Sequence, residues 1–186
     1  IIDVQKDADY TLNYTGKVFE AINKAAEELL KNGYKEGKDK VLEIVGKAVI
    51  VNRAYIFEFI EGEKESLCTQ TAEWTDGTVS SELDNDNLVN LTLAEEGFRR
   101  WYKSFKNNQK ISGLIKEFPE SEQQILSPQN IKSILVEPVY VDNTLKAFVG
   151  FDDCNREREW KQHELDALYS LRNLLGLSIK QEQENC

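Results

Sequence analysis

The hydrophobic period changes twice along this chain, from helical to strand-like and back, and that order constrains the fold more than any single motif. Residues 10–32 place Leu12, Phe19, Ile22, Ala26, Leu29 and Leu30 on one stripe, the pattern of an amphipathic helix. Asn32–Gly33 is a stop signal. Gly37 opens a shorter second helix through Val41, Leu42, Ile44, Val45 and Ala48. Residues 49–60 are rich in Val, Ile, Tyr and Phe, as strands are. Glu61–Gly62 then marks a turn, and Leu67–Trp74 reads as the second strand of a hairpin.

The middle of the chain is irregular. Residues 76–97 are thick with Asn, Asp, Ser and Thr, and so long a connection suits a binding loop or lid. Residues 97–107 read as a short helix loaded with Phe98, Trp101, Tyr102 and Phe105, followed by a brief strand at Ile111–Ile115. Pro119 starts a short helix over Glu120–Leu126, which Ser127–Pro128 closes. Ile131–Val141 and Leu145–Asp152 form a second hairpin over Asp142–Asn143, and Trp160–Gln181 is the last helix. This order predicts an α+β fold: a mostly antiparallel sheet, the terminal helices on one face, the irregular middle on the other, and a ligand cup between sheet and middle. With no internal repeat or linker, residues 1–186 read as one domain.

Charge narrows the partners. The formal net charge is −10, which argues against nucleic acid and against direct contact with an anionic membrane, since both need clustered positive charge. No apolar run approaches the roughly 18–20 residues of a membrane span, and no signal-peptide pattern opens the chain. The absence of methionine suggests a piece cut from a longer protein. Three scattered cysteines, Cys68, Cys154 and Cys186, form no C-x-x-C. A disulfide framework is not expected, and a reducing, cytoplasmic location is.

Catalytic and metal-binding candidates run out quickly. His163 is the one histidine, and neither G-x-S-x-G nor a glycine-rich phosphate loop occurs. Asp84-Asn-Asp-Asn87 starts like a calcium loop but has Leu88 at the next ligand position and lacks the required glycine; it reads as a loop with local Asx turns. Asp152 and Asp153, with Glu157 and Glu159, stand among Arg156, Arg158 and Lys161 and read as a charge-paired turn. Cys154 reads either as a buried inert thiol or as an anchor for a tetrapyrrole, and His163 as a solvated histidine or an axial haem ligand. No catalytic residue or metal site is expected, and no cofactor is required. The aromatic cluster reads as core or as pocket wall. The candidate ligand residues are Phe57, Trp74, Trp101, Tyr102, Phe105, Phe118 and Leu135.

The blocks Phe118-Pro119, Ile131-Lys-Ser-Ile-Leu-Val-Glu-Pro138, Phe148-Val-Gly-Phe-Asp-Asp-Cys154 and Arg158-Glu-Trp160 resemble the GAF domain family, in the branch found in bacterial and archaeal sensors upstream of histidine kinase or diguanylate cyclase modules. Asn52-Arg-Ala-Tyr-Ile-Phe-Glu58, Glu73-Trp74 and Gly97-Phe-Arg-Arg-Trp-Tyr102 extend the likeness over about residues 15–180. The resemblance implies a six-stranded antiparallel sheet of β2-β1-β5-β4-β3-type order, related to PAS domains, and a sensory, non-catalytic role. The cyclic-nucleotide signature of the family is not present, and no bilin-type cysteine position is recognisable. Lys161 stands where such members often carry the Ser or Thr of a capping box with Glu164, so the last helix is expected to fray at its start.

The last helix carries two apolar stripes, Leu165, Leu168, Leu175 and Ile179, and Ala167, Leu171 and Leu174. One faces the sheet. The other suggests a parallel homodimer through the first and last helices. The expected function is a regulatory domain that binds a small molecule in its cup and signals through its terminal helices to an output module. The alternative is a ligand-free dimerisation spacer.

Overall fold

The computed structural model of the protein describes residues 2–62, 66–95 and 97–186. Helix α1 (Ile2–Val49) is longer than the sequence pattern implies and breaks once, at Gly33, whose φ of 75° and ψ of 178° leave the helix. Only glycine adopts that conformation without a side-chain clash. Helical structure resumes directly after the break, ahead of the expected restart.

The sheet comprises β1 (Arg53–Phe59), β2 (Leu67–Thr75), β3 (Leu91–Thr92), β4 (Ile111–Leu114), β5 (Ser133–Val141) and β6 (Thr144–Asp153). Its order is β3-β2-β1-β6-β5-β4, with every pairing antiparallel. The β5–β6 hairpin turns at Asp142, which holds a left-handed φ of 53° that Asp tolerates better than most residues. Within the polar loop expected at 76–97, the structure adds the short edge strand β3 and a 3-10 turn over Asp86–Leu88, capped where Asn85 Oδ1 accepts from Asn87 N–H at 3.0 Å. Helices α2 (Arg99–Lys106) and α3 (Glu120–Leu126) cover one face of the sheet; α1 and α4 (Gln162–Glu184) cover the other.

Strand alternation divides the apolar side chains into two cores. Ala54, Ile56, Leu135, Val149 and Phe151 meet Val18, Ala25, Leu29, Val41, Leu42 and Val45 of α1 and Leu168, Leu171 and Leu175 of α4. Tyr55, Phe57, Ile134, Val136 and Phe148 meet Phe98, Trp101, Phe105 and Phe118 on the opposite side.

Both stripes of α4 are covered within the chain. Leu165, Leu174 and Ile179 pack against the same core as the fully buried leucines, so the double stripe does not by itself call for a second copy. On α1 the buried line is Val18, Ala21, Ala25 and Leu29, whereas Leu12, Phe19 and Leu30 are 74%, 55% and 77% exposed. The start of α4 is anchored and does not fray. Lys161 has no acceptor to offer, yet the Glu164 half of the capping box forms, with Lys161 N–H donating to Glu164 Oε1 at 2.8 Å. Further along, α4 lies so close to β5 that a Cβ on Gly176 would stand 2.4 Å from the Tyr140 carbonyl oxygen.

Candidate functional site

On the α2/α3 side, the sheet and its cover do not close completely. They leave a narrow chamber that admits the centre of a water molecule over about 40 Å³. Leu88, Leu91, Leu93, Phe98, Trp101, Leu126 and Ile131 form the cover; Tyr55, Phe57 and Phe148 form the apolar floor; Arg53, Gln70, Glu73, Glu82 and Asp152 form a charged end. The remaining cup is filled by rings: Phe57 stacks on Phe148 at 4.7 Å, and Phe105 on Phe148 at 5.0 Å. Gly150 makes room for the floor, since a Cβ there would meet the Tyr55 ring at 2.6 Å.

The charged end arises from two local features. Arg53 and Asp152 are direct cross-strand partners on β1 and β6, so their side chains share a face. Gln70 and Glu73 share that face because β2 carries a bulge: Phe57 pairs with Gln70, Ile56 with Ala72, and Thr71 is the extra residue. A bulge shifts the alternation by one position.

Arg53 Nη1 donates to Asp152 Oδ2 at 2.9 Å, and Nη2 to the Ser80 carbonyl at 3.3 Å. Glu73 Oε2 lies 4.0 Å from Arg53 Nε, and Glu82 Oε1 lies 3.9 Å from Nη2. Gln70 Nε2 donates to Glu73 Oε2 at 3.1 Å, and Glu82 N–H reaches both Glu73 oxygens, at 3.1 and 3.0 Å. Among the described residues, Arg53 Nε, Gln70 Oε1 and Asp152 Oδ1 are buried here without a hydrogen-bond partner. Full burial pushes the Asp152 carboxyl up to about 6, against the pull of Arg53 and Tyr55. Burial likewise pushes the Cys154 thiol up to about 11, with Asp152 adding to the effect.

Of the seven ligand residues suggested by the sequence, Phe57 and Trp101 line the chamber. Tyr102, Phe105 and Phe118 belong to the surrounding aromatic core without lining it; the Arg100 guanidinium lies over the Phe118 ring at 4.9 Å. Trp74 and Leu135 lie on the helix side of the sheet, Trp74 against Gly46 of α1 and Leu135 in the α1/α4 core. Leu135 is one position away from Ile134 and Val136, which do face the cup side. The five polar residues of the charged end were not singled out as ligand groups. Their visible signal is a charged residue inside a strand pattern, as at Arg53 and Glu73.

Asp153, next to Asp152 in β6, serves the opposite face. Its Oδ2 accepts from Arg156 Nε at 2.9 Å and Arg158 Nη1 at 3.3 Å, the charge-paired turn read from the sequence. Arg156 Nη2 and Arg158 Nη1 donate to the Ile50 carbonyl at 2.9 and 3.0 Å, and Arg158 Nη2 to the Val49 carbonyl at 3.2 Å. These groups satisfy carbonyls that the end of α1 leaves open. Arg158 also pairs with Glu164 at the start of α4. The Tyr14 hydroxyl stands 2.9 Å from both Glu164 Oε2 and the Val49 carbonyl. Burial and Glu164 together push the Tyr14 phenol up. One network therefore joins β6 to both terminal helices.

This six-stranded sheet with its two helical covers is the GAF fold. The chain resembles the phycocyanobilin-bound GAF domain of a cyanobacterial phytochrome at TM-score 0.75 and 13% identity, over 90% of this chain and 96% of that one. It also resembles the blue-light-absorbing PixJ GAF domain of Thermosynechococcus elongatus at TM-score 0.66 and 15% identity, over 79% and 84% of the two chains. In sequence, it is 39% identical over 136 residues to the methanogenesis regulatory histidine kinase FilI of Methanothrix harundinacea (strain 6Ac). That match covers 73% of this chain and 15% of the kinase. No family model matches the chain.

The phytochrome neighbour carries a bilin, and the residues here do not fit one. The chamber is far too small for a four-ring chromophore. Cys154 is buried, with its sulfur 4.0 Å from the Gln129 carbonyl. His163 lies outside the chamber, edge-on to Tyr14 at 4.9 Å.

Proposed function

We propose that this chain is a non-catalytic sensory domain of a larger signal-transduction protein of the histidine-kinase type, acting in the cytoplasm. It takes a small molecule into the chamber and passes the change through α1 and α4 to an output module. The observation that carries this reading is the convergence of three unpartnered buried polar atoms on one chamber. Such atoms are costly in a core and inexpensive in a site that a ligand completes. The relay follows from the strand: a shift of Asp152 moves Asp153, and with it the arginines that hold the ends of both helices. Likeness to a regulatory histidine kinase supports the context. In the assembled protein, we place a second copy against the exposed line Leu12, Phe19 and Leu30 of α1.

A second reading, the ligand-free spacer, is favoured by the stacked rings that fill most of the cup. Native mass spectrometry of the chain purified from its own host separates the two. A bound small mass, lost on the chamber-filling change Leu93→Phe, supports the sensor. An identical clean mass for both proteins supports the spacer.

A further inference from the structure

We infer that the chamber selects a small organic cation, an ammonium or amidinium with at least two N–H donors, over neutral and anionic molecules of the same size. The inference rests on the chamber being a ligand site, as proposed above. Three carboxylates, those of Glu73, Glu82 and Asp152, face the single guanidinium of Arg53 there, so two negative charges remain in excess. The guanidinium is committed to the protein, with Asp152, Glu73 and Glu82 all within 4.0 Å of it. An anionic guest would bring a fourth negative charge into a poorly hydrated space, where charges interact far more strongly than in water.

The unpartnered atoms point the same way. Two of the three, Gln70 Oε1 and Asp152 Oδ1, are acceptors, the second on a carboxylate whose protein donors are Arg53 and the nearby Tyr55 hydroxyl, and a donor from a guest can meet both. Their residues are 8% and 1% exposed. The orientation of the Gln70 amide follows from chemistry: its Nε2 faces the Glu73 carboxylate, and a flipped amide would set oxygen against oxygen. The third atom, Arg53 Nε, already has a carboxylate oxygen 4.0 Å away. The aromatic walls complete the site, because the negative faces of rings attract an organic cation and accommodate its alkyl part.

Calorimetric titration of the chain at 0.3 M salt, which screens the acidic surface, tests this with propylammonium, propan-1-ol and propionate. Propylammonium should bind at least tenfold more tightly than propan-1-ol, and propionate should give no signal. Glu82→Gln, a near-isosteric change at the chamber rim, should weaken propylammonium about fivefold and leave propan-1-ol unchanged. Gln70→Leu should do the same, and serves as the second variant should one fail to fold. A propylammonium signal that both variants leave intact is surface binding and overturns the inference. So does equal affinity for amine and alcohol, tighter binding of propionate, or no binding by any of the three. The native-mass experiment then tells whether the site itself survives. A host-derived bound mass sensitive to Leu93→Phe retains the ligand site and removes only its cation preference. A clean mass removes both.

Discussion

Gln70 and Glu73 are three residues apart on β2, a spacing that puts side chains on opposite faces of a regular strand, yet Gln70 Nε2 donates to Glu73 Oε2 at 3.1 Å. The extra residue Thr71 makes this contact possible. Below the bulge, Cys68 and Gln70 face the cup side; above it, Ala72 and Trp74 pack beneath α1 while Glu73 turns toward Arg53. A single inserted residue thus supplies the chamber with both an amide and a carboxylate, while Ala72 and Trp74 still reach the core under α1.

Removing Arg53 leaves the carboxylates of Glu73, Glu82 and Asp152 at that end of the chamber without their guanidinium. Arg53→Met should cost about 3–5 kcal/mol of stability, the usual penalty for stripping one partner from a buried ion pair. The double change Arg53→Met with Asp152→Leu should recover a large part of it. Urea unfolding of the two variants measures the difference; equal losses would show that the pair is not coupled.

Asp152 makes stability depend on pH in a defined direction. Its carboxyl is raised to about 6 from an ordinary 3.8, so the fold favours the protonated form. The stabilisation is complete below pH 3.8, the unfolded value, and is lost as pH rises through about 6. The loss is at most about 3 kcal/mol. Other carboxylates titrate over part of the same range, so the useful quantity is the wild type compared with Asp152→Asn. Between pH 4.5 and 6.5 the wild type should lose more stability than the variant by urea midpoint, and parallel curves would contradict the assignment.

Two glycines on helices should respond oppositely to alanine. Gly176→Ala drives a Cβ into the Tyr140 carbonyl at 2.4 Å and should cost about 1–3 kcal/mol by forcing α4 off β5. A Cβ on Gly16 meets nothing within 4 Å, and its alanine variant should gain up to about 1 kcal/mol from helix propensity. Thermal melts of the pair give both signs in one experiment.

At the helix junction, Arg158 and Glu164 should be energetically coupled. A double-mutant cycle with Arg158→Gln and Glu164→Gln should give an interaction of about 1–3 kcal/mol. Amide exchange at Lys161, whose N–H donates to Glu164, should quicken in Glu164→Gln while the centre of α4 stays protected. Uniform quickening along α4 would mean that the junction holds the whole helix.

The exposed line on α1 predicts an oligomeric state. Leu12 and Phe19 are seven residues apart and Phe19 and Leu30 eleven, close to two and three whole helical turns. Light scattering at low micromolar concentration should report a dimer for the wild type and a monomer for Leu12→Lys, Phe19→Lys, Leu30→Lys. A wild-type monomer would remove α1 as the pairing face.

Hydrophobic periodicity and turn signals located the two hairpins and the terminal helices, because each depends on spacing within a short window, whereas the edge strand β3 inside the polar loop left no such pattern. Phe57 and Trp101, named for their aromatic rings, do line the chamber. The two faces of the sheet were harder to assign. Trp74 and Leu135 read as cup residues and lie under the helices, since strand phase turns on a single residue and the bulge at Thr71 leaves no mark in composition. The charged end lay further still from local reading: Arg53, Gln70, Glu73, Glu82 and Asp152 come from three strands and a loop, and each alone is an ordinary polar residue. Only tertiary structure brings them together, and only burial gives their charge excess and unpartnered atoms a cost, because in water each would be solvated and satisfied.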